Sequence, residues 1–151
     1  MLLFRRKEAG IEVFLVHPGG PFWAKKDLGA WSIPKGEYTE GENAFDAARR
    51  EFKEETGQPV DGKFLPLGEL KQPSGKIITA WAVEHDLDPA LVRSNTFTME
   101  WPPRSGRSQA FPEVDSAAWF PPSIAREKLV KGQVEFLTRL TEKLAPAGAN
   151  E

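Results

Sequence analysis

Apolar positions follow short runs in some parts of the chain and a helical rhythm in others. Met1 to Phe4 and Ile11 to Val16 are short apolar runs on either side of the charged turn Arg5 to Gly10, which predicts a strand hairpin. His17-Pro18-Gly19-Gly20-Pro21 combines ring and glycine constraints that suit neither helix nor ladder, so a loop is expected, irregular on through Phe22 to Ala30. Trp31-Ser32-Ile33 reads as a short strand ended by Pro34. A helix is predicted from Glu42 to Thr56, where Ala44, Ala47 and Ala48 favour helix and Thr39 and Glu42 have the spacing of a capping box. Gly57 is placed to end it in a left-handed conformation, and Pro59 prevents its resumption.

Further strands are expected at Phe64 to Leu70 and Ile77 to Val83, around a turn at Gly75 and Lys76. Asn95 to Trp101 is extended, Pro102 to Ser108 is a loop by composition, and Ala118 to Phe120 is a last short strand closed by Pro121-Pro122. A second helical region starts near Ser123, with Leu129, Gln133, Phe136, Leu140 and Leu144 at helical spacing and Val134 and Leu137 on the same side. The pattern predicts one domain over residues 1–145 with a frayed tail at 146–151: an α+β or α/β sandwich, a mixed sheet with two main helices.

Composition narrows the function. The 151 residues are 40% hydrophobic, as in an ordinary globular domain, and contain no cysteine, which removes disulfides, thiolate metal sites and cysteine nucleophiles. No stretch approaches the roughly 18 consecutive apolar residues of a membrane span. The first apolar residues precede Arg5-Arg6-Lys7, opposite to the order in a secretory signal, so a cytoplasmic location and no membrane partner are expected. A formal charge of −2, from 20 basic and 22 acidic residues, argues against duplex nucleic acid as a partner. It permits a small phosphorylated ligand, because a bound cation supplies the missing positive charge.

Chemistry concentrates in the first helix. At 100° per residue Glu51, Glu54 and Glu55 lie at about 0°, 300° and 40°, within roughly a 100° arc. Three carboxylates so close repel one another unless a cation lies among them, and a hard divalent ion such as Mg²⁺ takes oxygen ligands and bridges to substrate phosphates. The three also occupy the last turn, where the helix dipole disfavours anions. Phe45, Ala48 and Phe52 border the same arc, which holds the carboxylates at an edge between core and solvent.

The stretch Gly36 to Gly57 resembles the signature of the Nudix hydrolases: a glycine, five residues, Glu42, seven residues, then Arg50-Glu51-Phe52-Lys53-Glu54-Glu55-Thr56-Gly57. One position departs from it, since Gln58 stands where an aliphatic residue belongs. The likeness continues upstream through Gly29 to Glu37 and downstream through Glu113-Val114-Asp115 and Trp119-Phe120. It implies a Nudix-type α/β/α sandwich with a mixed β-sheet. It also implies a pyrophosphohydrolase in which metal-activated water attacks phosphorus in a phosphoanhydride.

By this resemblance Glu51, Glu54 and Glu55, with the carbonyl of Gly36, ligate Mg²⁺, for which Mn²⁺ is able to substitute. Glu54 or Glu55 acts through a bound water, and Arg50 fixes the carboxylates. Glu42 ligates or holds a water near the helix start. Some members draw the general base from outside the signature, and here Glu113 is favoured over Glu100. Lys35 and Arg104 are expected to meet phosphates, with Lys25 and Lys26 as further candidates; Trp23 and Trp31, with Phe22 and Trp101 nearby, are expected to offer faces to a base.

The substrate expected is a nucleotide, either a dinucleoside polyphosphate or a nucleoside triphosphate. Inositol pyrophosphates, and a catalytically silent nucleotide-binding module, are the alternatives. An isomerase of isoprenyl diphosphate with the same fold needs a cysteine that this chain lacks. Monomer and homodimer are equally open.

Overall fold

The structure, a computed structural model, describes residues 1–34 and 42–145. Strands β1 (Leu2–Lys7) and β2 (Gly10–Pro18) form the expected hairpin. It runs further than its apolar residues, because paired charges extend the ladder. Arg5 Nε donates to Glu12 at 2.8 Å within the hairpin, and Arg6 Nε to Glu84 at 3.2 Å. The turn therefore shrinks to Glu8 and Ala9.

Helix α1 (Ala44–Thr56) follows, then β3 (Phe64–Lys71) and β4 (Ile77–Glu84). β5 (Thr96–Glu100) and β6 (Ser108–Pro112) pair only with each other. β7 (Val114–Phe120), α2 (Pro122–Lys128) and α3 (Val134–Leu144) complete the order. The five-stranded sheet runs β3-β4-β1-β2-β7, and its β1–β4 pair alone is parallel. The fold is thus α+β with a mixed sheet.

Alternation along the central strands sends side chains to opposite faces. Leu2, Phe4, Val13 and Leu15 pack with Ala125, Leu129, Phe136, Leu137 and Leu140 from the α2–α3 side. Met1, Leu3, Phe14 and Val16 pack on the other face with Phe52 of α1, Val60 and Val83. Both faces are covered, which makes the sandwich. Fully burying a ring such as Phe52 contributes about 1.5–3 kcal/mol and presses α1 onto the sheet.

Several elements differ from the sequence pattern: β2 runs on through His17 and Pro18, where a loop is expected, and β6 is a strand the pattern does not predict. The second helical region is broken between Lys128 and Val134, because the backbone there pairs with the Trp31 segment: Trp31 N–H donates to Lys128 O at 2.9 Å and Val130 N–H to Trp31 O at 2.8 Å. Gln133 is buried, and its Oε1 accepts from Ile33 N–H at 2.9 Å. The segment Trp31 to Ile33 accordingly forms isolated bridges, Val16 to Ser32 and Trp31 to Leu129, rather than a strand. In addition, β7 begins at Val114 rather than Ala118, since Ser116 pairs with His17 and Val114 with Pro18 across a bulge at Asp115 of β7. Among the described residues, no helix is long and apolar enough to cross a membrane.

Candidate active site

Helix α1 starts one turn inside the expected capping box. Asn43 is the cap, its Oδ1 accepting from Phe45 N–H at 2.9 Å and Asp46 N–H at 3.2 Å. Thr39, Lys35 and Gly36 lie outside the described residues. The other end is as expected. Gly57 adopts φ 74° and its N–H donates to Lys53 O at 2.7 Å.

Beyond the cap, the segment after β4 completes the last turn: Asn95 N–H donates to Glu54 O at 2.8 Å and Arg93 N–H to Thr56 O at 2.7 Å. These bonds satisfy carbonyls that a helix end leaves open. They also tie the acidic end of α1 to the base of the β5–β6 hairpin.

Arg50 is the hub of the acidic face. Its Nη1 donates to Glu51 Oε1 at 2.9 Å and to both Glu54 oxygens at 3.2 Å, and its Nη2 donates to Glu42 Oε1 at 2.9 Å. The hydrogen bond to Glu42 leads the effects that raise the Arg50 pKa, partly offset by desolvation. Burial pushes the Glu51 carboxyl upward, Arg50 opposes that, and the charges of Glu54 and Glu113 add to the rise. Glu55 is partly buried on the same face, with Oε2 shielded from solvent.

The two candidates for an outside carboxylate separate here. Glu113, at the junction of β6 and β7, donates its N–H to Asn95 O at 2.8 Å, accepts at its carbonyl from Gly19 N–H at 3.0 Å, and its charge reaches Glu51. Glu100 lies at the opposite end of the hairpin, where its Oε1 accepts from Arg104 N–H at 2.8 Å.

A divalent cation fits the donor set of this face, which is all carboxylate oxygen and suits a hard ion. The described side chains are not gathered into a ready-made site: among the described residues no three of His, Cys, Asp and Glu are grouped to hold an ion. Arg50 draws Glu51 and Glu54 to itself, and Gly36 is outside the described residues. On the other flank, a cavity of about 320 Å³ is lined by Asp46, Arg49, Arg50, Lys53, Pro59 and Val60. Of its three cations the resemblance gave a role to Arg50 alone, although the spacing of Arg49, Arg50 and Lys53 along α1 puts Arg49 and Arg50 each beside Lys53.

The aromatic candidates divide by burial. Trp31 is a core residue, only 8% exposed, with Phe120 and His17 edge-on at 5.1 and 5.2 Å and its Nε1 donating to Asp27. A ring so covered has no face for a base, which corrects the expectation. Trp23 is 37% exposed with Lys26 Nζ over its ring at 5.1 Å. Phe22 is 62% exposed and meets Trp101 edge to face at 5.7 Å. Arg104 is exposed at the hairpin tip with φ 63°.

His17 escaped the sequence reading. It is buried, with Nδ1 2.8 Å from Asp115 Oδ1 and Nε2 2.6 Å from Lys26 O. Both ring nitrogens therefore face oxygen acceptors, and the ring pins the loop between Pro18 and Ala30 to β2 and β7. A histidine beside Pro-Gly-Gly was the available signal.

Comparison with known proteins bears on this geometry. The NUDIX domain model matches residues 1–140. Among solved structures, the chain is similar to an Ap4A hydrolase of C. elegans in a binary complex, with TM-score 0.66, 19% identity, and 95% and 94% of the two chains covered. It is similar to the NUDIX domain of Shewanella oneidensis NrtR complexed with ADP ribose, with TM-score 0.63, 17% identity, and 95% and 84% covered. A mutT/nudix family protein of Listeria innocua gives TM-score 0.61 at 21% identity, with 95% and 90% covered. No curated protein matches the chain in sequence.

Proposed function

Because the chain belongs to the NUDIX family, we propose that it is a divalent-metal-dependent pyrophosphohydrolase acting on a nucleotide, either a dinucleoside polyphosphate or a nucleoside triphosphate. Family membership supports a pyrophosphohydrolase-type role in general. The observation that supports the finer reading is the acidic face of α1, where one guanidinium, that of Arg50, bonds Glu42, Glu51 and Glu54. Glu51, Glu54 and Glu55 come from α1, and Glu113 at the hairpin base is tied to that helix end through Asn95, which donates its N–H to Glu54 O and accepts from Glu113 N–H. Carboxylates sharing one helix face repel one another, and a cation among them would relieve that repulsion.

Glu51, Glu54 and Glu55 would hold Mg²⁺ or Mn²⁺, with the Gly36 carbonyl as a further ligand. Such an ion, when bound, lowers the pKa of water and neutralises phosphate charge. Arg50 orients Glu51 and Glu54 through Nη1 and holds Glu42 through Nη2. Glu54, Glu55 and Glu113 are the groups able to accept the proton of the attacking water. The cationic flank of α1, with Arg49 and Lys53, suits an anionic substrate. An Ap4A hydrolase is among the proteins of this fold, in keeping with the substrate class.

The test is hydrolysis of diadenosine tetraphosphate, ATP, dGTP, 8-oxo-dGTP, ADP-ribose and an inositol pyrophosphate, with Mg²⁺ and with chelator. Glu54→Gln should lower kcat by about 10²- to 10⁴-fold, the range for a lost acid–base or metal function, with an unchanged melting temperature. Full activity in chelator, or a variant keeping more than half of kcat, would sink the assignment. A tenfold preference for ADP-ribose or the inositol compound would move the substrate class, and no hydrolysis at all would favour a silent binding module.

A further inference from the structure

The loop after β2 and the β5–β6 hairpin run side by side, and three contacts join them in order. Gly19 lies against Pro112 so closely that a Cβ there would sit 2.0 Å from Pro112 O. Gly20, at φ 98°, lies against Phe97, where a Cβ would meet Cζ at 2.9 Å. Phe22 then meets Trp101 at 5.7 Å. The two segments therefore form one wall, and glycine at its first two positions permits the approach.

One end of the wall is Glu113, whose N–H donates to Asn95 O at 2.8 Å, while Asn95 N–H donates to Glu54 O at the acidic end of α1. The other end is the hairpin tip, four ladder steps from Thr96 to Glu100, or about 14 Å at strand rise. The tip carries an aromatic pair with one ring 62% exposed, together with two arginines. Its backbone is well fixed. Trp101 N–H donates to Arg107 O at 2.9 Å, Ser105 N–H to Pro102 O at 3.1 Å, and Arg107 N–H to Ser105 Oγ at 3.2 Å. Arg104 occupies the left-handed region, at φ 63°, which a non-glycine residue keeps only when its surroundings hold it. Among the described residues neither Arg104 nor Arg107 makes an ion pair.

We propose that this tip is a second recognition site, remote from the carboxylates, at which the exposed face of Phe22, held edge to face by Trp101, stacks a nucleobase and Arg104 and Arg107 hold the adjoining phosphate. The inference rests on the hydrolase reading for its consequence. A substrate spanning carboxylates and tip must carry a phosphate chain between its cleaved bond and its bound base, so the wall selects long polyphosphates over short ones. Stacking is indifferent to which base is offered, because every base has a π-face, and the arginines contribute planar, two-donor contacts to phosphate oxygens.

Two probes separate the parts of the site: a non-hydrolysable methylene analogue of ATP, and inorganic tripolyphosphate, which has no base. Calorimetric titration into the wild type, Phe22→Ala, Phe22→Trp and Arg104→Ala reads binding directly, and steady-state kinetics on diadenosine tetraphosphate reads KM and kcat separately. Phe22→Ala should weaken the analogue by about 5- to 150-fold, the value of one stacked base, and weaken tripolyphosphate much less. Phe22→Trp should restore binding, and Arg104→Ala should weaken both probes. On the dinucleotide, KM should rise while kcat stays within about twofold, as for an interaction made equally in ground and transition states. Melting temperatures check folding, and exposure of Phe22 makes its truncation mild. If Phe22→Ala and Arg104→Ala bind both probes like the wild type while hydrolysis proceeds, the second site falls and the hydrolase reading stands. If the wild type hydrolyses nothing yet binds the analogue through Phe22, the hydrolase reading falls and the site stands.

Discussion

Replacing Arg50 by alanine tests the electrostatics of the acidic face. The guanidinium serves Glu42, Glu51 and Glu54 at once, with four contacts between 2.9 and 3.2 Å. Its side chain is 40% exposed, so solvent screens each pair, and an exposed pair contributes about 0.2–1 kcal/mol. Three pairs sharing one guanidinium are not additive, and the expected loss is about 1–2 kcal/mol in the absence of divalent ions. For a chain of this size that lowers the melting temperature by about 2–8 °C.

Scanning calorimetry in chelator at low salt reads the loss. Near 1 M salt, where the Debye length is about 3 Å, the difference between wild type and variant should shrink. Arg50→Lys keeps the charge without the fork and should recover only part of the loss. The carboxylates freed in Arg50→Ala should bind Mg²⁺ more strongly, so saturating Mg²⁺ should raise the variant's melting temperature by more than the wild type's. An unchanged melting temperature in chelator at low salt would refute the hub. An equal response to Mg²⁺ would show that the ion and Arg50 do not share ligands.

Gly57→Ala should cost at least about 1–3 kcal/mol, because a side chain is strained at φ 74° and its Cβ would lie 2.6 Å from Arg93 O; denaturant unfolding measures it, and a neutral variant would refute the close approach. Asp27 accepts hydrogen bonds from Lys128 and from Trp31 Nε1, in that order of effect, and both hold its pKa below the ordinary 3.8. Its stabilising contribution is therefore present above that value and lost as pH falls through the lower folded value. Melting temperatures measured from neutral pH downward should show the wild type exceeding Asp27→Asn near neutrality and converging with it in acid; a constant gap would contradict the linkage.

How far the sequence revealed the fold depended on whether local residues or distant partners set the outcome. Helix α1 was legible because Gly57 and the apolar stripe through Phe45, Ala48 and Phe52 act locally, although the cap moved to Asn43. Strand β6 was not, since Ser108, Gln109 and Pro112 carry no strand pattern and the strand exists only through its pairing with β5. The break before α3 was hidden for the same reason: Leu129 and Gln133 keep helical spacing, but the Trp31 backbone claims the bonds of Lys128 and Val130. Among aromatic residues, composition could not separate Trp31, enclosed by Phe120 and His17, from Phe22, left exposed beside Trp101.

The candidate site shows the same division more sharply. Spacing along one helix put Glu51, Glu54 and Glu55 on one face, because 100° per residue is a local rule. It could not choose between Glu100 and Glu113, which are opposite ends of one hairpin. The resemblance favoured Glu113, and the end of α1 shows what ties that residue's backbone to the helix. Carbonyls at a helix C-terminus need donors, and here the N–H groups of Arg93 and Asn95 supply them to Thr56 and Glu54. Asn95 O in turn accepts from Glu113 N–H, and Glu113 O accepts from Gly19 N–H. The bonds that finish the helix thus bring in the hairpin base with Glu113 and start the wall that ends at Phe22 and Trp101. A substitution that disturbs the Gly57 turn should accordingly reach the acidic face through Asn95 and Glu113, although Gly57 itself carries no chemistry.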